Sequence, residues 1–504
     1  MRRLPVLAAV VLVLLSGCAG SVPMLDSGGT AEDTVPPDDV HADIDPAPAD
    51  LADPTTDRLG WEGGYWYNES IDVDQSDGLN SSELAAVTNR SMARVEYIRG
   101  LEFERSVPVE VVSRDEFASS QSDRETPPSR RTFDNAKFEA LFMINESTDS
   151  IAVQSQNRGA SVGGYYSPSE ERIVLVSNSQ TPSVSEVTLS QELFHALQDQ
   201  QFDLSSFDQS TREQHNAADG IIEGDGNLVD YLYGQRCGEE WTCLSDTGSA
   251  SGETSNNSSS GSSSGGLADL GPYFLKYQPY SDGPAFVYQV YEAGGWDAVN
   301  AVYETPPTST SQTIHPGQYP ESEPSVPTVD DRTTGSWERV EPEGRVNYGR
   351  VGEAGLAAMF ASPLYEQPGA AIVSPRSWLN TDDNGTPRTF DPLNYDTDYS
   401  DDFAGDRFVA YADADAEDRS GYVWAVRFDN ESAADDFRDG YGQLLDYRNA
   451  TEVEDASGPG SVYRIPEGDD NGFSDAFRVV QRGDTVTITN APTVEALAGV
   501  RAGE

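Results

Sequence analysis

Apolar residues along this chain recur at intervals that predict its local structure. Over residues 82–101, Leu84, Val87, Met92, Val95 and Ile98 keep a helical spacing, and residues 107–112 read as a strand. Residues 165–176 read as a hairpin whose second arm is apolar. Residues 188–199 place Leu189, Leu193, Ala196 and Leu197 on one helix face, and residues 217–233 predict a second helix. Further on, 421–428 read as a strand, and 432–447 set Ala434, Phe437, Tyr441, Leu444 and Leu445 on one side of an amphipathic helix. Strands at 462–465, 476–481 and 485–489 follow, with Arg482-Gly483-Asp484 as the turn between the last two, and 493–500 predict a closing helix. Strand, helix and then several strands is the order of an α+β module, and no internal repeat is evident.

The pattern lapses in three places. Residues 18–58 run through Gly, Ser, Pro, Asp and Ala with almost no large apolar side chain, too little burial to offset the entropy of ordering. Residues 245–266 are largely Ser, Gly and Asn, and 331–344 turn polar again. The expected organisation is therefore a disordered acidic stalk at 18–58, a first domain at 59–330 carrying a flexible insert at 245–266, and a smaller α+β domain at 345–504. A chain of 504 residues agrees with several units of roughly 150 residues each.

The first residues carry an address. Arg2 and Arg3 precede an apolar run over 4–15, and Leu15-Ser16-Gly17-Cys18 ends it with small residues and a cysteine. Twelve apolar residues fall short of the roughly 20 needed to span a bilayer. Residues 1–17 thus read as a signal peptide, and Cys18 after Leu-Ser-Gly resembles a lipobox, which implies a lipid anchor in the membrane; an ordinary secretory peptide with Cys18 incidental is the alternative. Outside the cell, Cys237 and Cys243 are expected to pair as a local disulfide. Asn68, Asn80, Asn89, Asn145, Asn256, Asn257, Asn430 and Asn449 open Asn-x-Ser/Thr sequons, which makes them glycosylation candidates in an exported chain.

Charge sharpens this picture. The chain holds 86 acidic and 32 basic residues, a net charge of −54, so nucleic acid and anionic headgroups are not expected partners. With 37% hydrophobic residues there is still enough apolar material for packed cores, which puts the acid on folded surfaces. Only Lys137 and Lys276 are lysine; the other basic residues are arginine. This composition resembles that of extremely halophilic archaea, where molar salt screens self-repulsion within about 3 Å.

The chemistry concentrates in Gln191-Glu192-Leu-Phe-His195. Helix positions four apart share a face, which is why His-Glu-x-x-His holds Zn²⁺ between two imidazoles while its Glu activates water. Here Glu192 and His195 keep their places, and Gln191 replaces the first His. Ile222-Glu223-Gly224-Asp225 follows about thirty residues later in the second predicted helix. These residues resemble the gluzincins, the thermolysin-like zinc peptidases, whose third ligand is a Glu at that position. With Gly294-Gly295-Trp296 and the Pro306-Pro307-Thr308-Ser309-Thr310-Ser311 block ahead of His315 and Tyr319, residues 61–320 resemble peptidase-like surface proteins of bacteria and haloarchaea.

The resemblance implies a zincin-like fold for 59–330, an edge strand that pairs with extended substrate, Glu192 as catalytic base, and zinc on His195 and Glu223. His315 or Tyr319 is implied as a donor to a developing oxyanion. A Gln amide is a weak zinc ligand, so Gln191 puts the metal in doubt; Asp199, one turn past His195, or His215 is a substitute ligand. Without these flanking features, Glu192 and His195 would read as an ordinary polar helix face. The resulting expectation is a lipid-anchored cell-surface protein on the outer face of the cytoplasmic membrane, its peptidase-like domain degenerate and binding an extended peptide or envelope protein. An active metallopeptidase with a non-standard ligand set is the alternative.

Overall fold

The structure is a computed structural model. It describes residues 35–503 except 38–39, 118–125, 162, 178, 180, 245–269, 367–370, 417–418, 455 and 469–471. The expected signal peptide, Cys18, the insert at 245–266 and the sequons at Asn256 and Asn257 lie outside the described residues. Among the described residues no helix is long and apolar enough to cross a membrane.

The fold is α+β. Its first part holds a two-stranded hairpin, β1 (Trp61–Glu62) and β2 (Tyr65–Trp66), then helix α1 (Ser81–Arg99) and strand β3 (Val109–Val112). Helices α2 (Pro128–Ala140) and α3 (Ser150–Ser161), strands β4 (Gly164–Ser167) and β5 (Arg172–Val176), and helices α4 (Glu186–Phe202), α5 (Arg212–Arg236) and α6 (Gly271–Glu304) follow. A three-stranded sheet runs β3-β5-β4, with β3 parallel and β4 antiparallel to β5, which leaves β4 on an edge.

The second part begins with β6 (Trp337–Arg339) and helix α7 (Gly352–Ala361). Strands β7 (Phe403–Asp413) and β8 (Ser420–Phe428), helix α8 (Glu431–Tyr447), and strands β9 (Thr451–Glu452), β10 (Ser461–Arg464), β11 (Ala476–Arg482) and β12 (Thr485–Ala491) complete it. Its seven strands form one antiparallel sheet, ordered β6-β7-β8-β12-β11-β10-β9. The expected turn is present: Arg482 pairs with Thr485, and Gly483 takes the positive φ of 61° that a tight hairpin needs.

Two cores divide these elements differently from the expected 59–330 and 345–504. One core joins α1, β5, α4, α5 and the later part of α6. The other joins α2, the start of α6 at Phe274 and Leu275, all of α7, and one face of the large sheet with α8. Helix α6 thus belongs to both, and α2 leaves its sequence neighbours to pack with the C-terminal strands. The polar stretch 331–344 is likewise no plain linker, since Trp337 in β6 is buried against the far face of the sheet.

The stalk expected at 18–58 differs over its described end. Val40 and Ala42 are buried, Ala42 N–H donates to Tyr97 O at 3.1 Å, and Arg236 Nη2 donates to Val40 O at 2.8 Å. His41 stacks on the Tyr97 ring, 4.7 Å between centroids. Apolar content is low here, but the backbone supplies acceptors that a buried arginine requires.

Candidate functional site

Helix α4 begins at a Ser185 cap, whose side chain accepts the Thr188 N–H, and its first turn is fixed by Glu186. That buried carboxylate accepts from Arg90 at 2.9 Å and Arg94 at 2.6 Å of α1 and from the Tyr233 hydroxyl at 2.7 Å. Charge compensation at both ends makes such burial tolerable. Helix α5 approaches closely because it carries glycine where side chains would collide. A Cβ on Gly226 would stand 3.0 Å from His195 Cε1, and one on Gly224 would stand 2.4 Å from the Gly283 carbonyl oxygen of α6.

With α4 and α5 so placed, His195 Nε2 lies 3.4 Å from Glu223 Oε2. Their side chains are 13% and 18% exposed, so the pair opens to solvent on one side. Gln198 sets the imidazole. Its Nε2 donates to Ile222 O at 2.9 Å and to Tyr303 Oη at 2.6 Å, which leaves Oε1 facing His195 Nδ1 at 2.8 Å. Nδ1 must therefore carry the proton, and Nε2 is turned to Glu223. Behind Gln198, the Tyr303 hydroxyl donates to Asp225 at 2.8 Å, and Asp225 is paired with buried Arg99 at 3.0 Å.

Electrostatics follow from that packing. Burial works against charge on His195, but the Glu223 carboxylate overcomes it and raises the imidazole to about 9. Burial likewise pushes Glu223 up, yet His195 and the Tyr280 hydroxyl, 2.7 Å from Oε1, hold it below its ordinary value. Burial raises Glu192, with His195 acting against it and Glu223 adding to it. Glu192 Oε2 accepts the Tyr166 backbone N–H of edge strand β4 at 2.7 Å. Nearby, Asp230 has an unpartnered Oδ1 and is raised to about 8 by burial and by Glu192.

Glu192, His195 and Glu223 are thus brought together, and Gln191 is buried one turn before His195 on the same side of α4. Other expected residues go elsewhere. Asp199 accepts the Tyr166 hydroxyl at 2.8 Å and is not turned to the pair as a substitute ligand. His215 lies 3.4 Å from Asp219 and bonds Gln209; burial and then Arg212 and Lys276 lower it to about 3. Tyr319 donates to Thr305 O. His315, expected as an oxyanion donor, bonds Glu353 at 2.8 Å, and its further charged neighbours are Asp396 and Asp401, none of them part of the His195 group.

Cys237 and Cys243 are joined as a disulfide. Of the described sequon asparagines, Asn68, Asn80, Asn430 and Asn449 are exposed, while Asn89 and Asn145 are half-buried. Asn80 and Asn430 also cap α1 and α8 through their side-chain oxygens.

Tyr166, Gln198, Tyr280 and Asp230 were not singled out by motif. Gln198 was legible in principle, three residues past His195 on one helix face, and Asp230 stands two turns past Glu223. Tyr166 and Tyr280 come from distant elements and carry no local signal.

As a zinc site the donor set is incomplete: one imidazole and one carboxylate fit, and an amide stands where a second imidazole belongs. Among the described residues, His/Cys/Asp/Glu groups with ligand atoms all within 4.8 Å of one another are His315, Glu353 and Asp396, and Asp57, Glu62 and Glu102. The first is a His/Glu/Asp cluster with the composition of a metal-binding set.

Residues 338–501 match a family described as Domain of unknown function (DUF8575). The match starts in β6 and spans the large sheet with α7 and α8, so the Gln191–Glu223 group lies outside it. No curated protein matches the chain. No solved structure matches it either.

Proposed function

We propose that the chain is an exported surface protein, tethered to the outer face of the cytoplasmic membrane by lipid on Cys18, whose zinc-peptidase-like half holds an extended peptide without hydrolysing it efficiently. The observation that supports this reading is the meeting of His195 and Glu223 across two helices at 3.4 Å, with an amide at Gln191 in place of the second imidazole. Peptide would add along β4. Gly163 O accepts from Val176 N of β5, so by alternation Gly164 and Tyr166 turn their backbone groups to the free edge. Glu192 already occupies the Tyr166 N–H, and an incoming strand must displace that carboxylate.

A second reading, an active metallopeptidase with Glu192 as general base, is favoured by the Gln198 bond, since it presents His195 Nε2 in the orientation a metal ligand needs. One experiment separates the two. The full chain is purified in molar salt, its zinc measured by elemental analysis, and cleavage of a peptide library followed with and without chelator. No cleavage, and no zinc that His195→Ala removes, support the binding module. Zinc lost in His195→Ala, with chelator-sensitive cleavage lost in Glu192→Gln, replaces it with the enzyme.

A further inference from the structure

Three residues from separated stretches of chain meet where the segment after α6 touches the sheet-bearing half. His315 follows the single helical turn Ser311–Ile314, Glu353 sits in the first turn of α7, and Asp396 stands in the loop that leads into β7. Each offers a ligand atom within 4.8 Å of the other two.

The approach is built from the Pro-Pro-Thr-Ser-Thr-Ser block. Buried Glu213 of α5 accepts from Ser309 Oγ at 2.6 Å, Thr310 N at 2.9 Å and Thr310 Oγ1 at 2.8 Å. Thr310 Oγ1 in turn accepts the Ala354 N–H at 3.2 Å, which ties this segment to the start of α7. Gly352, at φ +74°, has no room for a side chain against Glu213. These contacts set His315 Nε2 at 2.8 Å from Glu353 Oε1.

Glu353 carries the second, independent observation. Its side chain is 1% exposed, and Oε2 has no hydrogen-bond partner, although the Ser311 hydroxyl is close. A buried carboxylate oxygen with a hydroxyl close but no well-aligned donor is costly, and a cation offsets that cost. Asp396 is exposed and closes the group from the solvent side, which leaves an entry path.

We propose that His315, Glu353 and Asp396 bind one divalent first-row transition cation that clamps the segment after α6 to the sheet-bearing half. An imidazole with two carboxylates suits Zn²⁺ or Mn²⁺ better than Ca²⁺, which prefers an all-oxygen shell. This site is separate from the His195–Glu223 group and does not depend on the function proposed above.

The test is calorimetric titration of the chelator-washed full chain with Zn²⁺ alone, in molar salt, beside Asp396→Asn, His315→Gln, His195→Ala and the exposed control Asp383→Asn. The expected result is a one-equivalent site that persists in His195→Ala and Asp383→Asn and weakens at least about tenfold in Asp396→Asn and His315→Gln. Asp396 is exposed, so its variant folds and the reading survives a failure of His315→Gln to do so. Two results overturn the proposal: no saturable zinc uptake by the wild-type chain, or a tight site lost in His195→Ala and unchanged in Asp396→Asn. The latter would place the metal at the His195 group instead.

Discussion

Two histidine–carboxylate pairs, His195–Glu223 in the first half and His315–Glu353 where the segment after α6 meets the second, differ in their surroundings. His195 and Glu223 are each partly exposed, and a buried relay through Gln198, Tyr303, Asp225 and Arg99 holds the imidazole from behind. His315 meets a nearly fully buried Glu353 whose other oxygen has the Ser311 hydroxyl close but no well-aligned hydrogen bond, with an exposed Asp396 in front. The same residue types thus sit in different settings: the first pair is oriented beside a sheet edge, whereas the second joins the segment after α6 to the start of α7. Among the acids, Glu186 and Asp225 in the α1–α4–α5 core pair with arginines, while in the sheet half the half-buried Asp475 accepts from the Asn490 amide at 2.9 Å.

The largest effect is expected where that contrast is cut at its anchor. Asp225→Ala strands Arg99 in the core and should destabilise the chain by about 3–5 kcal/mol, read by denaturant unfolding. A loss below about 1 kcal/mol would show that the relay does not depend on the ion pair.

Asp475 tests the sheet half. Burial raises it to about 8, against the Asn490 bond, with Glu146 and Glu139 adding and Arg464 opposing. Because the folded carboxyl holds its proton above the unfolded value, its stabilising contribution is complete below about pH 4 and is lost as pH rises through about 8. Asp475→Asn should therefore gain on the wild type across that window by an amount on the order of a few kcal/mol. Parallel stability curves for the two proteins would refute the assignment.

Gln191→His should restore the missing donor and tighten zinc by at least about 100-fold, measured by competition with a chelator. Unchanged affinity would mean that position 191 does not face the His195–Glu223 pair. Gln198→Ala should loosen whatever zinc that variant binds by about 10–100-fold, because His195 Nδ1 loses the acceptor that sets its tautomer. Smallest of all, Asp396→Asn in metal-free protein should shift stability by no more than about 0.5 kcal/mol, as expected of an exposed side chain without a bound cation.

Much of the fold was legible from periodicity. Helices α1, α4, α5 and α8, the β4–β5 hairpin and the closing β-strands follow patterns three to four or two residues long, so each announces itself locally. Helix α7 does not, because Gly-Glu-Ala-Gly-Leu-Ala-Ala-Met-Phe-Ala is buried on every side and shows no polar face. Helix α6 is hidden for another reason: Pro279 and Pro284 argue against a helix, yet Asn216 of α5 donates to Leu275 O, the carbonyl that Pro279 leaves without its usual donor.

What the sequence alone determined was the set of residues sharing a helix face: Gln191 with His195, Glu192 beside them, and Glu223 on a later helix. Only the tertiary structure decided that Glu192 accepts from the Tyr166 N–H, that Asp199 turns to the same tyrosine, that His315 belongs to Glu353, and that residues 40–42 lie against α1 and α5. The physical reason is range. Helical and strand periodicity is imposed by backbone geometry within a few residues, while the choice of which polar faces meet is made by burial of the whole chain, where each enclosed donor or acceptor must find a partner from any distance along it.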